Sequence, residues 1–333
     1  MADRLPDDPR WPRAGDWPTP AEALDARDAR ATRGGDGRLD VTLLGVPTWR
    51  TSLSPTGAHA TPPAIRRALR RYSPALMPDR SGRADASSEA SSIVDLAEVL
   101  GFADAGDVDE PDGEAGEART RAAASDALAR SRTLVALGGD NSATVPVALA
   151  AFGDDRARAG LVTLDAHYDL RDGRSNGSPV RRLVEAGLDP SRIVQVGIAD
   201  FANSAEYARR ARDLGITVVH RDELHRRPID DVMAEAFAVA GAAGGPVHVD
   251  LDVDVCDRSV VPACPASVPG GLAAWELRAA ARAAGAHPAV RSVDLVEIDA
   301  TADAPDERTV RLAALCVLEF AAGVARRSGS VVG

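Results

Sequence analysis

Seven short apolar runs, each tied to a stretch of helical pattern, constrain this chain more than any other feature. The runs lie at residues 41–47, 133–137, 161–164, 193–198, 216–219, 247–252 and 290–297. The stretches 63–70, 118–130, 145–152, 180–186, 204–214, 229–240, 272–284 and 308–326 read as helices, two of them with Pro in the first turn. Apolar strands that alternate with helices through a whole chain require a parallel sheet covered on both faces. The fold class is therefore α/β: three α/β/α layers with a mostly parallel central sheet. At 333 residues and 45% hydrophobic composition the chain can bury such a core. No linker divides it, so residues 39–333 form one domain. Residues 1–38, rich in Asp, Arg, Pro and Gly, are expected to be a flexible segment with a short helix near 20–30. Residues 81–92 and the acidic run 109–116 read as loops.

Charge and cysteine content narrow the partners. The formal net charge is −11, and all 39 basic residues are Arg. A chain this acidic does not bind nucleic acid or anionic membranes in bulk. The three cysteines, Cys256, Cys264 and Cys316, have no zinc spacing and read as reduced thiols of a cytoplasmic protein. No apolar run reaches membrane-spanning length.

The chemistry sits where runs end. Asp165, His167 and Asp169 fall at alternate positions after the third run, so their side chains share one face. Two carboxylates and an imidazole converging at a strand end repel one another unless a cation lies between them. A second cluster, Asp250, Asp252, Asp254 and Asp257, follows the sixth run among Val and Leu residues that demand burial. Carboxylates with a single imidazole are a hard donor set that suits Mn²⁺ better than zinc or copper. In open parallel sheets such sites lie beyond the carboxyl ends of the strands. His248 reads as a structural residue out of phase with the ligand face. Nothing forms a Ser/His/Asp set or a phosphate-binding loop.

Three segments carry a resemblance. Gly138-Gly139-Asp140-Asn141-Ser142, Asp165-Ala166-His167-Tyr168-Asp169 and Asp252-Val253-Asp254-Val255-Cys256-Asp257 resemble the signature segments of the ureohydrolase superfamily (arginase, agmatinase, formimidoylglutamase). The likeness runs from about Val41 to Val324 and implies an arginase-like fold. It also implies two Mn²⁺ ions per chain. Asn141, Asp165, Asp169 and Asp252 would hold one, and Asp165, His167, Asp252 and Asp254 the other. A hydroxide bridging the ions would attack the substrate, oriented by Asp169, and Glu297 would face its cationic group. Asp250 precedes the pattern and would stand behind the ligands. Relatives form trimers or hexamers, so a homo-oligomer is expected.

Two departures point within the superfamily. Asn141 stands where His is usual, so the first ion should be weak or labile. Asn176 stands where arginases and agmatinases carry a His, a His that formimidoylglutamases characteristically lack too. Asp169-Leu170-Arg171 and the Asn203-Ser204 pair lean the same way. The implied substrate is an amidine, N-formimidoyl-L-glutamate, hydrolysed to L-glutamate and formamide in histidine degradation. Its two carboxylates make Arg171, Arg174 and Arg181 candidate partners, with Asn176 and Asn203 beside them. The rivals are a ureohydrolase acting on agmatine or another guanidino compound, and a metal-poor relative that binds ligands without turnover.

Overall fold

The computed structural model describes residues 8–29, 37–77 and 93–327. The readings for residues 1–7, 30–36 and 81–92 fall outside them. Ten strands alternate with eleven helices among the described residues. In chain order they are α1 (Pro20–Ala29), β1 (Leu39–Val46), α2 (Thr61–Leu69), β2 (Ala75–Leu76), β3 (Val94–Asp95), α3 (Leu96–Val99) and β4 (Phe102–Asp107). The middle of the chain adds α4 (Gly113–Arg130), β5 (Ser131–Gly138), α5 (Thr144–Phe152), β6 (Gly160–Leu164), α6 (Pro179–Glu185), β7 (Ile193–Ile198) and α7 (Ala205–Leu214). The last part is β8 (Thr217–His220), α8 (Arg221–Leu224), α9 (Ile229–Ala240), β9 (Val247–Asp252), α10 (Ala274–Ala286), β10 (Val290–Val296) and α11 (Arg308–Arg327).

Eight strands form one sheet in the order β4-β1-β5-β10-β9-β6-β7-β8, every neighbouring pair parallel. Strands β2 and β3 pair antiparallel outside it. The early strands build one side of the sheet and β6 to β8 the other. Strands β9 and β10, last in sequence, close the gap between β5 and β6. The chain thus reverses its direction of growth at the centre of the sheet, where such folds open a crevice at the strand ends.

Both faces are buried. One is covered by α2, α9, α10 and α11 around Val162, Leu164, Val249, Leu251, Val293 and Leu295. The other is covered by α4, α5 and α6, with Val145, Ala148, Phe152 and Leu183 in its core. Helices α10 and α11 approach closely because Gly285 and Gly323 face each other's backbones. A methyl on Gly323 would lie 2.2 Å from the Arg282 carbonyl. Across the same contact Arg278 and Arg282 both pair with Glu319, at 2.6 Å from Arg278 Nη2 and 2.6 Å from Arg282 Nε.

Residues 8–29 lie against the sheet edge. Trp17 stacks on Phe102 with centroids 4.4 Å apart, Ala14 is buried, and the Asp104 N–H donates to the Pro18 carbonyl at 2.9 Å. Arg66 of α2 forks onto Asp104, with Nε 2.6 Å and Nη2 2.8 Å from the two oxygens, and ties α2 to the edge strand β4. One element starts earlier than the sequence pattern implies: α4 begins at Gly113, inside the run read as a loop. Asp112 before it spends its carboxylate on the backbone N–H groups of Trp49 and Arg50, at 3.0 and 2.9 Å. The helix start is thereby recruited to hold the loop after β1.

Candidate metal centre

Four adjacent central strands deliver the candidate ligands. Strand β5 runs into Asn141, β6 into Asp165, His167 and Asp169, β9 into Asp252 and Asp254, and β10 into Glu297. All of the carboxylates among these are at most 7% exposed. Ligand-type atoms of Asp165, His167 and Asp254 lie within 4.8 Å of one another, as do those of Asp252, Asp254 and Cys264. Cys264 has no ligand spacing in the sequence; the turn at 261–264 brings it beside Asp252 and Asp254.

The hydrogen bonds are those of a cage short of positive charge. His167 Nδ1 lies 2.7 Å from Asp254 Oδ2 and 3.3 Å from Asp165 Oδ1. The Asp254 Oδ1 atom accepts from the Ala166 N–H at 2.8 Å, and Asp252 Oδ1 accepts from the Asp254 N–H at 2.8 Å. Asn141 turns its amide Nδ2 to Asp169 Oδ2 at 2.7 Å and Asp252 Oδ2 at 3.3 Å, while its Oδ1 accepts from the Thr144 hydroxyl at 2.6 Å. Glu297 Oε1 accepts from the Asn141 N–H at 2.8 Å and from Asn176 Nδ2 at 2.9 Å. Asp165 Oδ2 is buried and has no hydrogen-bond partner among the described residues.

Burial and mutual repulsion raise the proton affinity of these acids. Burial, then the Asp254 charge, pushes Asp165 up to about 7. Burial and the neighbouring Asp140 push Glu297 up to about 8. Asp169 and Asp252 are raised well above the carboxylate range by burial and by Asp165 and Asp254. Burial opposes charge on His167, but Asp254 and Asp165 outweigh it and push the imidazolium up to about 12. Burial also opposes the Asp254 carboxylate, yet His167 beside it holds it below its ordinary value. Among the cage residues themselves, His167 is the one that can carry a positive charge. Oxygen donors, one imidazole and an unpartnered buried carboxylate oxygen fit hard divalent ions. Asn141 fits by a half-turn of its amide: Oδ1 then faces the cage, and Nδ2 meets the Thr144 hydroxyl, which can accept.

Asp169 and Glu297 also carry backbone strain. Their φ angles are +53° and +61°, in the left-handed region that costs a non-glycine residue about 1–3 kcal/mol. Glu297 directly follows β10 and Asp169 lies in the loop after β6, and both carboxylates line the crevice.

A cavity of about 230 Å³ opens above the acids, lined by His167, Asp169, Asp252, Asp254 and Glu297 below and by Leu53, Arg171, Asn176 and Tyr207 nearer the mouth. Arg171 and His167 are the cationic residues lining it, among the described residues. The Arg171 guanidinium lies over the Tyr207 ring, 6.0 Å from its centroid. Gly177 leaves room for its stem: a Cβ there would stand 2.7 Å from Arg171 Cδ.

The other substrate candidates are placed differently. Asn176 lines the cavity, but its amide is committed to Glu297 and to the Leu53 N–H, at 3.0 Å. Asn203 also lines it, while bonding the Tyr168 N–H and the Ala166 and Ala199 carbonyls, so it holds the 165–169 loop. Arg174 and Arg181, expected near the substrate, do not line the cavity. Arg174 turns away to Glu117 of α4 at 3.2 Å. Arg181 staples its own loop, donating to the Arg171 carbonyl at 2.6 Å and to the Gly173 carbonyl. Nearer partners captured both.

Asp250 lies one sheet row below Asp252, register-paired with Asp294. His248, expected out of phase, shares this face, since 248, 250 and 252 alternate along one strand. Its ring lies 2.6 Å from the Ser292 hydroxyl and 3.2 Å from Asp294. This Ser-His-Asp row is fully buried, with no access for a substrate.

The chain is similar to known proteins along most of its length. The family model described as "Arginase family" matches residues 39–323. A formimidoylglutamase of Halalkalibacterium halodurans is 31% identical over 290 residues, 84% of this chain and 86% of that protein. The crystal structure of formimidoylglutamase from Bacillus subtilis subsp. subtilis str. 168 superposes with a TM-score of 0.79 at 26% identity, covering 97% of this chain and 95% of that one. A Trypanosoma cruzi formiminoglutamase structure with Mn²⁺ shares the fold, with a TM-score of 0.77 at 23% identity over 94% of this chain and 100% of that one. No helix among the described residues is long and apolar enough to cross a membrane. Four central strands ending in one acidic crevice, and a family match over most of the chain, make this protein a member of the arginase family.

Proposed function

We propose that the chain hydrolyses N-formimidoyl-L-glutamate to L-glutamate and formamide. The observation that carries this reading is the pairing of a buried carboxylate cage with Arg171 at the mouth of the same small cavity. An amidine is cationic at one end of this substrate, and glutamate carboxylates stand at the other. The likeness to formimidoylglutamases over most of the chain supports the same choice.

Asn141, Asp165, Asp169 and Asp252 would hold one Mn²⁺, and Asp165, His167, Asp252 and Asp254 a second; Mn²⁺ accompanies the T. cruzi neighbour. When bound, such ions polarise the amidine and lower the pKa of water toward neutrality. The residues do the rest. Glu297, fixed by the Asn141 N–H and Asn176, faces the amidinium, whose charge draws its proton affinity back down. Asp169 accepts a hydrogen bond from the attacking water and carries its proton. Water oxygen bonds to the amidine carbon, the bond from that carbon to the glutamate nitrogen breaks, and a proton passes to that nitrogen. Arg171 binds a glutamate carboxylate as a charge-assisted pair.

A substrate panel with and without Mn²⁺ tests this. Formamide and glutamate in equal amounts, dependent on Mn²⁺, are expected. Urea from agmatine or another guanidino compound, with no formamide from formimidoylglutamate, would overturn the choice.

A further inference from the structure

Arg221 is a buried guanidinium that this mechanism does not use. It is 7% exposed and begins α8, directly after the edge strand β8. Its hydrogen bonds go to carbonyls. Nε donates to Gly197 at the end of β7, 3.3 Å away, and Nη2 to Asp254 and Val255 at 3.1 and 3.3 Å. Nη1 has no partner. Burying a charge on neutral carbonyls is costly, and such a residue would be replaced at a gain by an apolar side chain unless it served something.

What it holds is the turn that carries a candidate ligand. Residues 253–255 form a single helical turn after β9, and the Asp254 carboxylate projects from it onto His167 and the Ala166 N–H. The direction of that carboxylate follows from the turn's backbone. Arg221, which is not among the residues lining the cavity, anchors this turn to β7. Its charge also stands near Asp254, Asp165 and Asp257, beside a cage of buried acids.

We propose that Arg221 is a positioning residue of the metal centre, clamping the 253–255 turn so that Asp254 and His167 converge on one ion. This rests on the metal-centre reading above. The proposal separates two effects of opposite sign. If Arg221 acted only through its charge, removing it would leave the cage more negative and tighten Mn²⁺ binding. If it acts by holding the turn, removing it loosens Asp254 and weakens binding. Loss of a residue that orients a metal ligand costs about 10–100-fold in affinity.

The experiment is Mn²⁺ titration of metal-free protein by calorimetry, with bound metal counted after dialysis, for the wild type, Arg221→Met and Arg221→Lys. Arg221→Met is expected to bind Mn²⁺ about 10–100-fold more weakly, with activity recovered at excess Mn²⁺. Arg221→Lys keeps the charge but cannot span carbonyls on two strand ends, so it should fall between the two. Circular dichroism of the metal-free forms checks the fold, and should Arg221→Met not fold, Arg221→Lys alone carries the test. Equal or tighter binding by a folded variant overturns the inference and leaves the metal centre standing. A wild type that binds no Mn²⁺ overturns the metal-centre reading itself.

Discussion

Asn141 can present either end of its amide to the cage, and which end it presents depends on what occupies the centre. With its Nδ2 on Asp169 and Asp252 it neutralises part of their repulsion by hydrogen bonding. As an oxygen donor it would be weaker than imidazole. Asn141→His should therefore tighten Mn²⁺ binding by about tenfold, the equivalent of ~1.4 kcal/mol. Equilibrium dialysis measures this, and unchanged affinity would count against Asn141 as a ligand position. Arg171 is the second decisive residue. Loss of a charge-assisted hydrogen bond costs about 1.5–3 kcal/mol, so Arg171→Ala should raise KM for formimidoylglutamate by roughly tenfold or more while kcat changes less. Steady-state kinetics at saturating Mn²⁺ checks it; an unchanged KM would mean the substrate carboxylates lie elsewhere. The acids and His167 were legible in the sequence because alternate spacing on a strand end maps directly onto one face. Cys264, Tyr207 and Arg221 were not, since each reaches the site from another element.

At the scale of elements, close approach decides more than propensity. Helices α10 and α11 meet through Gly285 and Gly323, and a methyl on Gly323 would overlap the Arg282 carbonyl. Overpacking of this kind costs about 1–3 kcal/mol. Gly323→Ala should lower the unfolding free energy by that much, and the denaturant midpoint with it, without altering Mn²⁺ affinity, because the contact lies on the helical layer and not at the strand ends. Guanidinium titration with and without metal checks both parts. The strands and most helices follow from periodicity. The start of α4 does not, because Asp112 takes its partners from a loop more than sixty residues earlier in the chain. His248 shows the converse case: strand alternation alone puts it on the face of Asp250 and Asp252, and the structure adds its partner Ser292 on β10.

For the whole molecule, the unmetallated cage makes stability depend on pH. Asp165 is raised from 3.8 to about 7 and Glu297 from 4.5 to about 8, so the folded form holds protons that the unfolded chain releases. Their contribution is fully present below the unfolded values and is lost as pH rises through the folded ones. Metal-free protein should therefore lose thermal stability between about pH 4 and pH 8, and Mn²⁺ should restore it most at the upper end. Melting curves across that window with EDTA or Mn²⁺ test the sign; a metal-free melting temperature that climbs steadily toward pH 8 would contradict it. By itself the sequence determined the layered parallel fold, the strand ends that carry chemistry and the identity of the principal acids. Those depend on local period and on composition. Only the tertiary structure decided which arginine faces the cavity, how Asn141 directs its amide and what stands beside Asp254. A long side chain goes to the nearest satisfied geometry, and that is set by neighbours that folding, not sequence order, brings alongside.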